Sequence, residues 1–215
     1  MSAEQRALTR FTFTDLFADP EIRRRSIITF LMSLATTLAW WGISSWVTPF
    51  VASIAAKAGL PAQTWASYAG ISYNLGGVLG YIGLGFFADW FGRKPVVMIF
   101  FAASLVLTPA LYMTTTDLNL LMLIVAINGF FTLGQYSWLP VWLPELFPTR
   151  MRATGIAFAF NTPRFIAFLG PLFAGALIAQ LGGYGTTAVA FSLIYILGFV
   201  LAPLLPETKG KALPP

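Results

Sequence analysis

Gly85-Phe86-Phe87-Ala88-Asp89-Trp90-Phe91-Gly92-Arg93-Lys94 joins two long apolar runs, and Asp89 carries the first charge after Lys57. No charge falls between Arg25 and Lys57 either, so two uncharged stretches flank Lys57. Each exceeds the ~20 residues with which a helix crosses the hydrocarbon of a bilayer. They predict spans over 26–48 and 63–87. Lys94 and Asp117 bound a third span, 96–113, and a fourth covers 118–142. After Arg152 the chain carries one interior charge, Arg164, and Gly182-Gly183-Tyr184-Gly185 marks a turn that divides 153–181 from 187–204. Strands are excluded by length and pattern, because a membrane strand needs only ~9–11 residues and alternates polar with apolar positions. The expected fold is an all-α membrane protein with six transmembrane helices.

Composition points the same way. Hydrophobic residues make up 57% of the 215-residue chain and charged residues 10%, with a mean hydropathy of +0.75. A soluble domain carries about 25% charge. The net charge of +5 therefore reads as basic loops beside a bilayer rather than a nucleic-acid surface. The chain has no Cys and no His, which removes thiol nucleophiles, imidazole bases and zinc sites of the usual kind. Enzymatic chemistry is disfavoured for the same reason, and no cofactor is expected. Residues 1–25 are polar and mixed in charge, unlike a cleavable signal with its apolar core.

Loop charges orient the spans. Arg6, Arg10, Arg23, Arg24 and Arg25 precede the first; Arg93 and Lys94 follow the second; Arg150 and Arg152 follow the fourth; Lys209 and Lys211 follow the sixth. With six spans these segments share one side, while the other side receives Lys57 and Asp117. The tendency of basic loops to stay inside then places both termini in the cytoplasm. Residues 1–25 form a linker-like segment, 26–205 the membrane domain and 206–215 a cytoplasmic tail.

Three stretches carry a family resemblance. The opening stretch resembles the loop signature of the major facilitator superfamily, Gly-x-x-x-Asp-x-x-Gly-Arg-Lys. Pro144-Glu145-Leu146-Phe147-Pro148-Thr149-Arg150-Met151-Arg152 resembles a loop of its sugar-porter and organic-ion branches, and Pro206-Glu207-Thr208-Lys209-Gly210 resembles their tail. In that family these motifs follow the eighth, tenth and twelfth helices. The resemblance therefore implies the carboxy-terminal six-helix half of a twelve-helix transporter, with the amino-terminal half, or a second copy of the chain, as partner. It also implies that Gly85, Asp89, Gly92, Arg93, Lys94, Glu145 and Arg152 form a conformational latch. By their chemistry alone, Arg93 and Lys94 are equally anchors on the inside face, Glu145 and the two arginines of its loop either an ion-pair network or solvated, and Asp89 an acceptor for a helix N-terminus.

Arg164 is the functional clue inside the membrane. At ~1.5 Å per residue it lies roughly 18 Å from Arg152, near the midplane of a ~30 Å core. A guanidinium there costs at least ~2.5–3.5 kcal/mol unless paired or wet. None of the six spans contains Asp or Glu. Its partner is thus a substrate anion, a carboxylate elsewhere, a water-filled cavity or backbone carbonyls. Pro163 frees the carbonyl of Ala159, and Asn161 shares the face of Arg164.

Other polar and aromatic residues recur at helical spacing on the first span, Thr37, Trp40, Trp41, Ser44 and Thr48, and on the fourth, Asn128, Thr132, Gln135 and Trp142. Tyr73 and Asn74 add to the second. Candidate substrate-binding residues are Arg164, Asn161, Trp41, Asn74, Asn128 and Gln135, although indole packing and interhelical amide bonding are competing uses. Glycines crowd the second span at 76, 77, 80, 83 and 85, and small residues the fifth; the resemblance assigns these faces to the other half. Thr36-Thr37-Leu38-Ala39-Trp40-Trp41 lacks the paired glutamines expected of sugar porters. The expected function is transport of a small organic anion across the cell membrane by alternating access, with any coupling proton carried by an acid outside these spans. A sugar transporter half and a non-transporting fragment or scaffold are the alternatives.

Overall fold

In the computed structural model, residues 13–214 are described. Among them there is no strand. The helices are α1 (Asp15–Ala18), α2 (Pro20–Lys57), α3 (Ala62–Phe91), α4 (Arg93–Met113), α5 (Leu118–Gly134), α6 (Trp138–Leu146), α7 (Arg152–Ala167), α8 (Leu169–Gln180), α9 (Tyr184–Ser192) and α10 (Tyr195–Leu201), with 3-10 turns at Gln135–Ser137 and Ala202–Leu204. Among the described residues, five segments are long and apolar enough to cross a membrane: Pro20–Lys57, Ala62–Phe91, Arg93–Met113, Leu118–Leu146 and Tyr184–Leu204.

Boundaries follow local chemistry. α2 starts before the expected residue 26 because Asp19 accepts from the amides of Glu21 and Ile22, and Pro20 has no amide to satisfy. Arg23, Arg24 and Arg25 are therefore helical, not linker, and most of the expected linker, residues 1–12, lies outside the described chain. The fourth span continues to Leu146 through a 3-10 turn just before Pro140, whose missing amide leaves the Tyr136 carbonyl without its helical donor. The expected fifth span, 153–181, is two helices. Pro171 has no amide to bond the Ala167 carbonyl, and α7 ends at that residue, with Phe168 in a turn before α8. At 16 and 12 residues, neither piece reaches the ~20 needed to cross alone.

The bundle is drawn together by backbone contact between α3 and α5. A Cβ added at Gly76 would lie 2.0 Å from the Ala126 carbonyl oxygen, and one at Gly80 would lie 1.9 Å from that of Phe130. From the other side, a Cβ at Gly129 would lie 2.2 Å from the Tyr73 carbonyl oxygen, and one at Gly134 would lie 2.6 Å from the carbonyl carbon of Gly80. Small residues on both helices permit this approach where lipid offers no hydrophobic drive between helices. The glycine face of the second span thus meets this chain's own fourth span, not an absent half. Gly83 touches the Phe130 ring, while a Cβ at Gly85 would meet nothing within 4 Å, so Gly85 serves no close approach here.

At one end of the bundle a single carboxylate caps α4. The Gly92 amide donates to the Ala88 carbonyl, the Arg93 amide to Glu207 Oε1 at 3.0 Å and the Lys94 amide to Glu207 Oε2 at 2.9 Å. Pro95 has no amide, so every donor of the first turn that lacks a helical acceptor is satisfied. Glu207 also accepts from the amides of Thr208 and Lys209. Gly92 sits at φ 105°, and a Cβ there would lie 2.8 Å from Glu207 Oε2, which explains glycine at this position twice over. Asp89, expected to cap a helix, is not the capping residue.

Two outcomes follow. Gly80→Leu forces α3 from α5 and costs at least the ~1–3 kcal/mol of an overpacked core, read as a lower Tm of the detergent-solubilised protein; Gly85→Leu, facing open space, leaves Tm near wild type. Burial alone would raise the Glu207 pKa, but the backbone bonds from Lys209, Lys94, Arg93 and Thr208 outweigh it and leave the pKa below the ordinary 4.5. A depressed carboxyl stabilises the fold above its unfolded value and loses that contribution as pH falls through the folded value. The Tm gap between wild type and Glu207→Gln is accordingly largest near neutrality and closes on acidification below 4.5.

Candidate functional site: an arginine-lined aromatic cleft and a polar cluster

Two features concentrate the chemistry. The first is a cleft of ≈ 450 Å³ lined by Trp40 and Trp41 of α2, Tyr81 of α3, Tyr136 of the 3-10 turn, Arg164 and Ala167 of α7, and Phe168. Trp40 packs edge-on to Trp41 at 4.8 Å and lies 6.1 Å from Tyr136, whose ring meets Phe160 at 5.9 Å. Ser137 donates to the Tyr81 carbonyl at 3.3 Å, tying the turn to α3.

Arg164 brings the cleft its charge. Its carbon Cζ lies 3.8 Å from the centre of the Phe160 ring, and Nη1 donates to Asn161 Oδ1 at 3.1 Å. Among the described residues it makes no ion pair. A ring face and an amide oxygen hold the side chain while leaving its charge uncompensated, and an exposed guanidinium retains donors for a planar anion. The Trp40 indole Nε1 is buried with no acceptor.

Of the six binding residues expected from sequence, Arg164 and Trp41 line the cleft and Asn161 touches Arg164. The other three lie elsewhere. Asn74 is exposed and donates to the Gly70 carbonyl of its own helix at 2.7 Å. Asn128 is buried between helices, donating to Thr108 Oγ1 at 3.4 Å and accepting from Thr132 at 3.2 Å. Gln135 is buried and donates to the Thr132 carbonyl. Helical spacing puts Asn128 and Gln135 on a common face of the fourth span but does not tell which side of the helix meets a neighbour. Tyr81, Tyr136, Phe160 and Phe168 were not picked out, because aromatic residues are so abundant in this chain that none stands out singly.

The second feature gathers the three sequence motifs at one end of the bundle. Arg93 forms a two-pronged bond with Glu145, Nε to Oε2 at 3.0 Å and Nη2 to Oε1 at 2.8 Å, while Nη1 pairs with Asp89 at 2.8 Å and donates to the Ala88 carbonyl. Thr208 adds a hydroxyl donor to Glu145, Lys94 Nζ reaches the Pro203 carbonyl at 2.9 Å and Lys209 Nζ the Trp90 carbonyl at 2.6 Å. Spans two, three, four and six are thereby tied to one cluster. The other expected members do not join Glu145: Arg152 donates to the carbonyls of Pro144 and Pro214 and to Thr149, and Arg150 forms its ion pair with Asp15 at 3.0 Å.

Residues 14–214 match the family described as "Sugar (and other) transporter". The chain is 26% identical over 197 residues to the cis,cis-muconate transport protein of Acinetobacter baylyi, covering 92% of this chain and 46% of that protein. It is 31% identical over 117 residues to the 4-hydroxybenzoate transporter of Pseudomonas putida, covering 54% and 26%. It is 33% identical over 137 residues to the glycine betaine/proline/ectoine/pipecolic acid transporter of Dickeya dadantii, covering 60% and 26%. The chain spans about half the length, or less, of these relatives. Apolar helices, three loop motifs joined in one cluster and a match along nearly the whole sequence agree: the chain is a multi-pass membrane protein and belongs to the sugar (and other) transporter family of the major facilitator superfamily.

Proposed function

We propose that this chain forms one six-helix half of a secondary transporter for small organic anions, with Arg164 as the residue that meets the substrate carboxylate. The observation that carries this is a guanidinium held by Phe160 and Asn161 at the edge of an aromatic cleft, with no carboxylate partner among the described residues. Counted along α7 it stands ~18 Å from Arg152 at the cluster's end of the bundle, the depth of a midplane site. Stacked rings favour a planar or apolar body behind the carboxylate. The relatives' names support the class, since muconate and hydroxybenzoate are carboxylates.

In this reading α7 and α8 together make the fifth of six spans, and both termini lie on the cytoplasmic side, with the basic residues. A second six-helix unit completes the path, and the exposed stripe Ile71, Leu75, Val78, Leu79, Ile82 and Phe86 on α3 is the apolar surface it meets. Rocking of the two halves exposes the cleft to each side in turn. The cluster of Asp89, Arg93 and Glu145 holds one of the two states, and any coupled proton resides on an acid of the other unit.

The cleft is tested by carboxylate binding to the purified protein, followed by quenching of Trp40 and Trp41. Arg164→Ala weakens benzoate-type binding about 10- to 100-fold, the worth of a charge-assisted bond. Arg164→Lys does not restore it, because the planar fork is lost. Wild-type affinity in both variants removes Arg164 from recognition. For the latch, Asp89→Lys slows uptake by the assembled transporter while leaving that affinity intact; unchanged uptake refutes it.

A further inference from the structure

Where α2 begins and the last span ends, the bundle has a second basic cavity, separate from the cleft and beside the end cluster, since Leu204, Leu205 and Pro206 lie between Pro203 and Glu207. It measures ≈ 200 Å³ and is lined by Glu21, Arg24, Arg25, Ile28, Leu204, Leu205 and Pro206. Arg24 is exposed, and among the described residues its side chain makes one hydrogen bond, from Nη2 to the Leu204 carbonyl at 3.3 Å. Arg25 is bound more tightly: Nη1 donates to the Leu146 carbonyl at 3.0 Å and Nη2 pairs with Glu21. Its Nε is buried with no acceptor among the described residues. That nitrogen is shut off from solvent, so the donor this cavity offers to a ligand is Arg24.

The charges on this wall favour an anion. Glu21 is occupied by Arg25, which leaves Arg24 and its exposed neighbour Arg23 uncompensated among the described residues. The opposite wall is apolar: Ile28 and Leu205 are buried, whereas Leu204 of the lining is 46% exposed and Ile27, the residue before Ile28, is 45% exposed. A basic rim above an apolar descent matches a phosphate carrying acyl chains better than a free ion, which has no use for the descent.

We propose that this cavity binds the phosphate of an anionic phospholipid, with Arg24 as the donor at its rim and the acyl chain along Ile27 and Leu204. The bound lipid staples the start of α2 to the end of the sixth segment, two elements that Arg24 already joins through the Leu204 carbonyl.

Native mass spectrometry and thermal unfolding of the detergent-purified protein test this with three probes: phosphatidylglycerol, phosphatidylcholine and glycerol 3-phosphate. Phosphatidylglycerol is retained and raises Tm, while phosphatidylcholine, whose phosphate is neutralised by its own choline, does so weakly. Arg24→Gln, an exposed change that leaves the fold intact, lowers phosphatidylglycerol affinity about fivefold. Leu204→Asn lowers it without altering the charge. Equal retention of both lipids, unaltered affinity in Arg24→Gln, or a Tm rise reproduced by glycerol 3-phosphate alone would each overturn the assignment.

Discussion

Contact between the backbones of α3 and α5 sets the geometry on which the other elements rely. Gly76 and Gly80 meet the carbonyls of Ala126 and Phe130 with no side chain between, and Gly129 and Gly134 answer from the facing helix. With these helices so close, Tyr81 on α3 and Tyr136 in the turn after α5 come to line the same cleft, and Ser137 bonds the Tyr81 carbonyl. The same approach lets α6 deliver Glu145 to Arg93 at the head of α4. Lipid supplies no solvent penalty for helix separation, so dispersion at short range and a few polar bonds hold the arrangement.

Most of the architecture was legible in the sequence because charges are rare and each marks the end of a span. The loop motifs were equally legible as strings, yet their division of labour was not. Glu207 stood in the tail motif without a role, and the cap it gives α4 depends on a carboxylate more than a hundred positions away in the chain. Asp89 looked like the capping residue by proximity alone. Arg152 looked like an ion-pair partner, although carbonyls at the end of α6 and near the chain's end receive its bonds.

The cleft was half visible. Arg164 announced itself as a charge without a counter-charge, and Asn161 followed from helical spacing. Asn128 and Gln135 have the same chemistry as path-lining residues and an equally regular spacing, yet they bond within the interior. Periodicity assigns residues to a face; only packing tells whether that face looks at a neighbour or at open space. Pro171 was present to be read as well, but among long apolar runs its effect on the Ala167 carbonyl passed beneath the stronger signal of length.

That interruption bears on mechanics. α7 runs from Arg152 to Ala167 with its near end clamped through the Pro144 and Pro214 carbonyls and its far end carrying the guanidinium, and it is weakened one residue before that charge, where Pro163 removes the bond to the Ala159 carbonyl. Phe168 is the joint beyond it. A tilt imposed at the clamped end therefore meets a softened turn before Arg164, whereas a movement of α8 meets another just past the charge. The charge is thereby seated between two compliant points of one helical segment.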